Sequence, residues 1–360
     1  MTSGNIVKAR LQNQLLADKK ASDPKAVVSH FGAIQAQDYA MSKWAVGIRT
    51  KNATDETVEK ALDDGHIVRT HVLRPTWHLV AADDVHWMLE LTASNIRRQM
   101  NAMNRSLKLD AAVFAKTNDI IAKALEGNRH LTREELMQIL VRSGIRTDGL
   151  RSSHIMFAAE LDRIVCNGIR KGKQNTYALL DEKVKNPKKL LREEALAELA
   201  KRYFQSHSPA AAEDYAWWSG LSLTDARIGI AMNDTLIQES VGTKIQYRFE
   251  SDSTVAVLNH VGLLPAFDEF LISYKDRSAS IHDDHSAHAF TKNGIFRPLI
   301  VERGKVVGIW KRVTGKKGIV IETSFFESQN CLSITAAVEK YSRFLNQPVV
   351  VNSASEIRPL

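Results

Sequence analysis

Two cysteines in 360 residues, Cys166 and Cys331, are too few and too far apart to make a zinc-ligand pattern. No stretch approaches the roughly 18 to 20 uninterrupted apolar residues of a membrane-spanning helix. The opening segment, Met1 to Arg10, has no apolar signal core. Together these absences lead us to expect a cytoplasmic location. There is no Walker motif, no dinucleotide-binding glycine fingerprint and no Gly-x-Ser-x-Gly elbow, so nucleotide-dependent and esterase chemistries lose their usual sequence support. No segment is low in complexity, and no heptad run offers a dimerisation helix, which points to a monomer.

What is present is a chain with 44% hydrophobic and 25% charged residues, long enough for two to four domains. Its net charge of +8 is unevenly spread. Lysine plus arginine against aspartate plus glutamate gives 11 against 11 over residues 1–94, 15 against 8 over 95–180, and 23 against 22 over 181–360. The basic excess therefore lies almost wholly in one middle segment, and a concentrated positive charge on a module of this size favours a polyanionic partner over a merely solvated surface.

That middle segment is also the clearest structural unit. Apolar spacing through Val113, Ile120, Ile121 and Leu125 predicts a helix over 110–126, ended at Gly127-Asn128. Thr132-Arg133-Glu134-Glu135 is a capping box opening a second helix to about Arg142. A third helix is predicted over 150–166, and residues 169–179 read as two short strands around a basic, glycine-containing tip. Helix, helix-turn-helix, then basic hairpin is the order of a winged helix, whose last helix commonly enters the major groove of DNA while the wing touches backbone. Arg151, Ser152, Ser153 and His154 would lead that helix, and Lys171 and Lys173 would tip the wing. A winged helix used for protein contacts is the blander reading.

The same grammar recurs on both sides. Upstream, helices are predicted over 6–16, 24–33 and 56–63, a hairpin over 67–73 and 76–80 turned at Arg74-Pro75, and a longer helix over 83–100. Downstream, helices over 191–204, 208–219 (opened by Ser208-Pro209) and 222–233 precede strands over 236–239 and 244–249. From residue 253 the texture becomes β-rich, with strands over 254–258, 270–274, 296–301, 305–311 and 318–325. Glu302-Arg303-Gly304-Lys305 makes a tight turn, and a helix over 333–345 closes the region. The expected fold class is α+β: three tandem winged-helix domains followed by a small C-terminal β-barrel. The domain limits are 1–104, 105–182, 183–251 and 252–360.

Gln35-Ala36-Gln37 places two uncharged amides just after an apolar run. In a helix, residues two apart do not share a face, so the pair converges only if the helix stops and the backbone becomes extended. Converging amides can hold one water or one polar ligand; otherwise they are ordinary exposed glutamines at a helix end.

Four stretches together resemble the bacterial tandem winged-helix family that contains the AlkZ/YcaQ-type DNA glycosylases. They are Gln35-Ala36-Gln37, the hairpin from Arg69 to His78, the basic middle module, and Leu264 to Arg277. The resemblance covers essentially the whole chain. It implies three winged helices and a β-barrel wrapped around double-stranded DNA, and removal of alkylated bases, crosslinks between strands included. The family's catalytic element is a Gln-x-Gln or Gln-x-Asp pair, which Gln35 and Gln37 match. The hairpin departs from the commoner Arg-Gly-Thr pattern, because Pro75 stands between Arg74 and Thr76, removing a backbone donor and fixing φ.

Hydrolysis of an N-glycosidic bond builds positive charge on the deoxyribose while the base leaves with the bonding electrons. Alkylation at N7 already makes a purine cationic, so the leaving group needs little acid assistance and the remaining task is to aim a water. An amide is a poor base but presents a carbonyl acceptor and two donors in one plane, which suits that task. Gln35 and Gln37 are thus expected to position the water, with Asp38 a secondary electrostatic contributor. Arg74, Thr76 and His78 are candidates for touching the lesion or its phosphate, although a structural histidine on a strand fits His78 as well. Such hydrolysis needs neither cofactor nor metal. His282, Asp283, Asp284, His285 and His288 could be read as a metal cluster, but they lie in a Ser/Ala/Asp-rich stretch expected to be a solvated loop. Asp268, Glu269, Asp276 and Arg277 are read mainly as packing between barrel and helices, and Cys166 as core. A non-catalytic winged-helix DNA-binding protein, such as a transcriptional regulator, stays open as the second reading.

Overall fold

The computed structural model describes residues 3–241, 244–249, 261–315, 318–327 and 333–353. The strand expected over 254–258, and Cys331, lie outside the described residues. The fold is a mixture of helices and mainly antiparallel strands, gathered into two compact units. One comprises Met1–Glu59, Leu196–Trp218 and Ser222–Leu360, and the other Lys60–Ala195 with Ser219–Leu221. Residues 60–104 fall in the second of these units.

In the second unit, Ile67–His71 and Trp77–Ala81 form an antiparallel hairpin registered Ile67 to Ala81 and His71 to Trp77. Its turn is tight: Arg74 N–H donates to Val72 O (2.7 Å), Thr76 N–H donates to Arg74 O (2.6 Å), and Leu73 takes a positive φ of 64°. The long helix Val85–Ser106 follows. Asp110 then accepts the Val113 N–H and opens the helix Ala111–Leu125. The capping box forms as read: the Thr132 hydroxyl takes the Glu135 N–H while the Glu135 carboxylate takes the Thr132 N–H, and the helix Arg133–Arg142 starts there. The next helix is shorter than the sequence spacing suggests, Arg151–Leu161, because Arg163 turns left-handed (φ 63°) and the β-branched Ile164 and Val165 lead into the strand Val165–Asn167. Leu131–Thr132, Thr176–Leu179 and Val165–Asn167 pair in that order. Leu109, Ile121, Leu125, Leu136, Leu140, Ile155, Met156 and Val165 make the core of this part. Cys166 sits on the buried strand, its thiol pushed up to about 12 by burial, so it is an inert packing group.

In the first unit, Asp23 caps and Pro24 begins the helix Pro24–Phe31, as the proline preference for the first helical position predicts. The helix Tyr39–Gly47 has no counterpart in the sequence reading. Its Trp44 is buried between Tyr341 (ring centroids 4.9 Å apart) and Phe344 (5.0 Å) on the helix Thr335–Leu345, and its indole N–H donates to Leu263 O at 2.8 Å. The five-stranded sheet runs in the order Val349–Ser353, Gly318–Phe325, Lys305–Gly315, Leu299–Glu302 and Val261–Leu264, with only the first pair parallel. Arg303 (φ 48°) and Gly304 (φ 83°) supply the turn expected between Glu302 and Lys305.

Three elements correct the sequence reading. Residues 270–274 are not a strand: Asp268 caps the short helix Glu269–Ile272. The helix expected from Ser208 begins only at Ala212, where the Asp214 carboxylate accepts the Ala211 N–H at 3.0 Å. The histidine-rich stretch is not a loop: His282 caps the helix Asp283–Ala289 through its own ring nitrogen. Among the described residues no group of His, Cys, Asp or Glu is arranged to hold a metal ion.

Candidate active site

Gly32, with φ 80°, ends the helix Pro24–Phe31, and the chain leaves it as the extended segment Ala33–Gln35. Asp38 restarts helix three residues later by accepting the Met41 N–H at 3.0 Å, so its carboxylate is occupied as a helix cap. Gln35 and Gln37 therefore lie on the short connection between two helices, where the geometric condition for both amides to leave a helix is met. Their surroundings differ sharply. Gln35 is 4% exposed, whereas Gln37 is at the surface.

Behind Gln35 lies a polar cluster confined to the first unit. The Gln35 backbone N–H donates to Glu269 Oε1 at 2.6 Å, and Glu269 is 0% exposed. The other oxygen, Oε2, accepts the Trp218 indole N–H at 3.0 Å and the Ser273 hydroxyl, with His207 Nε2 at 3.7 Å. Burial alone would raise the Glu269 pKa, but His207, Ser273 and the Gln35 N–H favour the anion more strongly, and the carboxyl is held down at about 2. Burial pushes His207 in the neutral direction. One residue earlier, Asp268 makes a two-pronged pair with Arg49, Nη1 to Oδ2 at 2.8 Å and Nη2 to Oδ1 at 2.7 Å, with both side chains fully buried. Arg49 also donates to Gln14 O (3.0 Å) and Ala45 O (2.9 Å). The Gln14 amide donates to Tyr274 OH (3.0 Å), which donates to His207 O (2.8 Å). Arg10 stacks over the Tyr274 ring at 3.7 Å and directs two N–H groups at Pro209 O. The sequence of the segment carrying Asp268 and Glu269 suggests chiefly packing, because the link from Glu269 to Gln35 spans 234 residues and leaves no local signal.

The residues expected to face DNA divide into two groups. Arg74 and Thr76 are half-buried at the hairpin turn, Ser152 is half-buried, and Ser153, Lys171 and Lys173 are exposed. Lys171 pairs with the capping-box carboxylate of Glu135 at 2.7 Å, and Gly172 (φ 61°) turns the tip between Lys171 and Lys173. Ser153 receives a hydrogen bond from Arg133 at 3.3 Å.

Arg151, His154 and His78 are buried, and each makes a polar contact within the protein. Arg151 is 9% exposed and donates to Arg146 O (2.9 Å), Leu107 O and Lys108 O, so its charge satisfies carbonyls at the end of the preceding long helix. His154 contacts Asn104 Oδ1 at 2.6 Å, and burial lowers its pKa. His78 is 0% exposed, with Nδ1 against Thr76 O at 2.9 Å. His71, which no local sequence signal marks, has its ring against Trp77 (centroids 4.1 Å apart) and Phe157 (4.3 Å) with Nδ1 on the buried Glu160 carboxylate.

The family described as "DNA glycosylase AlkZ-like" matches residues 28–344. An interstrand DNA cross-link repair glycosylase of Streptomyces sahachiroi is 22% identical over 323 residues, covering 84% of this chain and 86% of that protein. The solved structure of the Streptomyces sahachiroi DNA glycosylase AlkZ aligns with a TM-score of 0.82 at 21% identity, over 98% of this chain and 100% of that one. A likeness at that identity speaks for the fold.

Proposed function

The chain belongs to the AlkZ-like DNA glycosylase family, and on that premise we propose that it is a monofunctional DNA-repair glycosylase hydrolysing the N-glycosidic bond of alkylated purines in double-stranded DNA. The substrates would be cationic, N7-substituted bases, with interstrand crosslinks among them, as the name of the Streptomyces sahachiroi relative suggests. It works as a monomer in the cytoplasm and uses no cofactor or metal. The fold is read as three tandem winged helices and a small C-terminal barrel. The middle winged helix offers Ser152, Ser153, Lys171 and Lys173 to the DNA backbone, and the hairpin turn offers Arg74 and Thr76.

Gln35 and Gln37 position the attacking water. Its oxygen forms a bond to the deoxyribose carbon C1′, the C1′–N9 bond breaks, and the electron pair neutralises the cationic purine as it leaves. The water's proton passes to solvent. Because the leaving group carries its own positive charge, no strong general acid is required, and neutral amides suffice to orient the nucleophile. Asp38, occupied as a helix cap, adds only its charge. The observation that carries this reading is the anchoring of Gln35: a buried, ionised carboxylate is spent on the backbone N–H of the very residue that precedes the exposed Gln37 by two positions. Preorganisation of this kind matters for orienting a water and has little use in a passive surface segment.

The test is a panel of duplexes bearing N7-methylguanine, 3-methyladenine, uracil or an N7-linked crosslink, read as abasic-site formation. Release of the cationic bases with uracil left intact is expected. Strong uracil release would contradict the neutral-amide chemistry. Tight duplex binding without release of any base would favour the non-catalytic DNA-binding reading.

A further inference from the structure

We propose that Glu269 is the positioning residue of the Gln-x-Gln element, fixing the backbone of Gln35 and thereby the place from which Gln37 presents its amide; this rests on the reading of Gln35 and Gln37 as the water-orienting pair. A wholly buried carboxylate must be fully hydrogen-bonded to be tolerated, and a backbone N–H at the end of a short strand could be satisfied far more cheaply by a carbonyl. Here the chain instead brings a charged acceptor from 234 residues away to 2.6 Å from the Gln35 nitrogen. A charge-assisted bond of that length is stiffer and more directional than a neutral one.

The carboxylate is itself held against rotation. Trp218, fully buried, donates to Oε2 at 3.0 Å, and Ser273, one helical turn beyond Glu269, donates to the same oxygen. With Oε2 held by two donors, Oε1 has one direction left, which is toward Gln35. The base of the short helix is fixed in turn, because Asp268 caps it while gripping Arg49 with both oxygens. His207, with Nε2 at 3.7 Å, also favours the anion, while Trp218 and Ser273 supply the hydrogen bonds that fix its direction. Gln37 follows through Ala36, which is 0% exposed, so a displacement at Gln35 cannot be absorbed there without moving Gln37. Displacements of about 1 Å at a water-orienting group can cost on the order of 10²-fold in rate.

Glu269→Gln keeps the shape and removes the charge; Ser273→Ala keeps the carboxylate and removes one of the groups that stop it rotating. Three quantities are measured on the full-length protein: the single-turnover excision rate on an N7-methylguanine duplex at saturating enzyme, the Kd for that duplex, and the Gln35 amide proton resonance and exchange rate under selective 15N-glutamine labelling. The expected result for Glu269→Gln is a rate lower by about 10²-fold, a Kd within about twofold of the parent, and a Gln35 amide that moves upfield and exchanges faster. Ser273→Ala shifts the same resonance and rate in the same direction by a smaller amount, and it serves as the test if Glu269→Gln does not fold. Parental rate and an unmoved Gln35 amide in the folded variant overturn the proposal. If the wild-type protein excises nothing, the glycosylase reading fails while the amide shift still reports on Glu269. If Gln35→Ala abolishes excision and Glu269→Gln leaves rate and amide unchanged, the glycosylase reading stands and this one falls.

Discussion

Replacing Asp268 by asparagine isolates the interaction on which the candidate site rests. Asp268 and Arg49 are both fully buried and joined by two hydrogen bonds of 2.7 and 2.8 Å, and Asp268 also accepts the Phe270 N–H at 2.9 Å. Asparagine keeps the size and one acceptor but leaves the guanidinium with its charge uncompensated and an amide N–H₂ facing it. Breaking a buried ion pair from one side typically costs about 3–5 kcal/mol, because the surviving charge has neither water nor partner. For a folding unit of roughly 200 residues, each kcal/mol moves Tm by about 2–4 °C, so Asp268→Asn should lower the midpoint by roughly 6–20 °C. Thermal unfolding followed by near-ultraviolet circular dichroism measures it. The double change Arg49→Met with Asp268→Leu removes both charges and should recover at least half of the loss, short of all of it because the Phe270 N–H loses its cap and the Gln14 and Ala45 carbonyls lose their donor. A midpoint within about 2 °C of the parent for Asp268→Asn would refute the reasoning, since a loss that small corresponds to about 1 kcal/mol or less.

Two further outcomes follow from the geometry. Glu269 is held near pKa 2, below the ordinary carboxylate value of 4.5, so it stabilises the fold above about pH 4.5 and that contribution drains away as the pH falls toward 2. The urea-midpoint difference between wild type and Glu269→Gln should be larger above about pH 4.5 and should shrink as the pH falls toward 2; a difference that grows on acidification over that range would reverse the assignment. Lys173→Ala should weaken duplex binding and reduce the slope of log K against log salt by roughly 1, whereas Arg151→Ala should lower thermal stability and leave that slope alone. Equal slopes in Lys173→Ala and wild type would remove the wing from the interface.

Local chemistry made much of the architecture legible. The Thr132–Glu135 capping box, the Asp110 cap, the Arg303-Gly304 turn and the strand Gly318–Phe325 all carry their instructions within a few residues. The helix Tyr39–Gly47 carries no periodic signal because every residue from Met41 to Gly47 is buried, so no polar face remains to set a 3.6-residue period. Glu269–Ile272 reads as strand from its sequence because a run of only three apolar residues fits either structure, and the deciding feature is the Asp268 cap. The same limit governs the site. Gln35 and Gln37 could be picked out as a pair, but the burial of one and exposure of the other, and the Glu269 anchor, depend on contacts far apart in sequence. The spacing of Arg151 likewise says nothing of the carbonyls of Leu107 and Lys108 that accept its hydrogen bonds.

The proposed role of Gln35 and Gln37 in aiming the water is tested by single-turnover release of N7-methylguanine by wild type, Gln35→Ala, Gln37→Ala and the double variant, with duplex Kd and Tm measured on the same preparations. Each single change should lower the rate by about 10²-fold or more while binding and folding persist, and the double change should cost far less than the product of the two. Full excision by both single variants would contradict it.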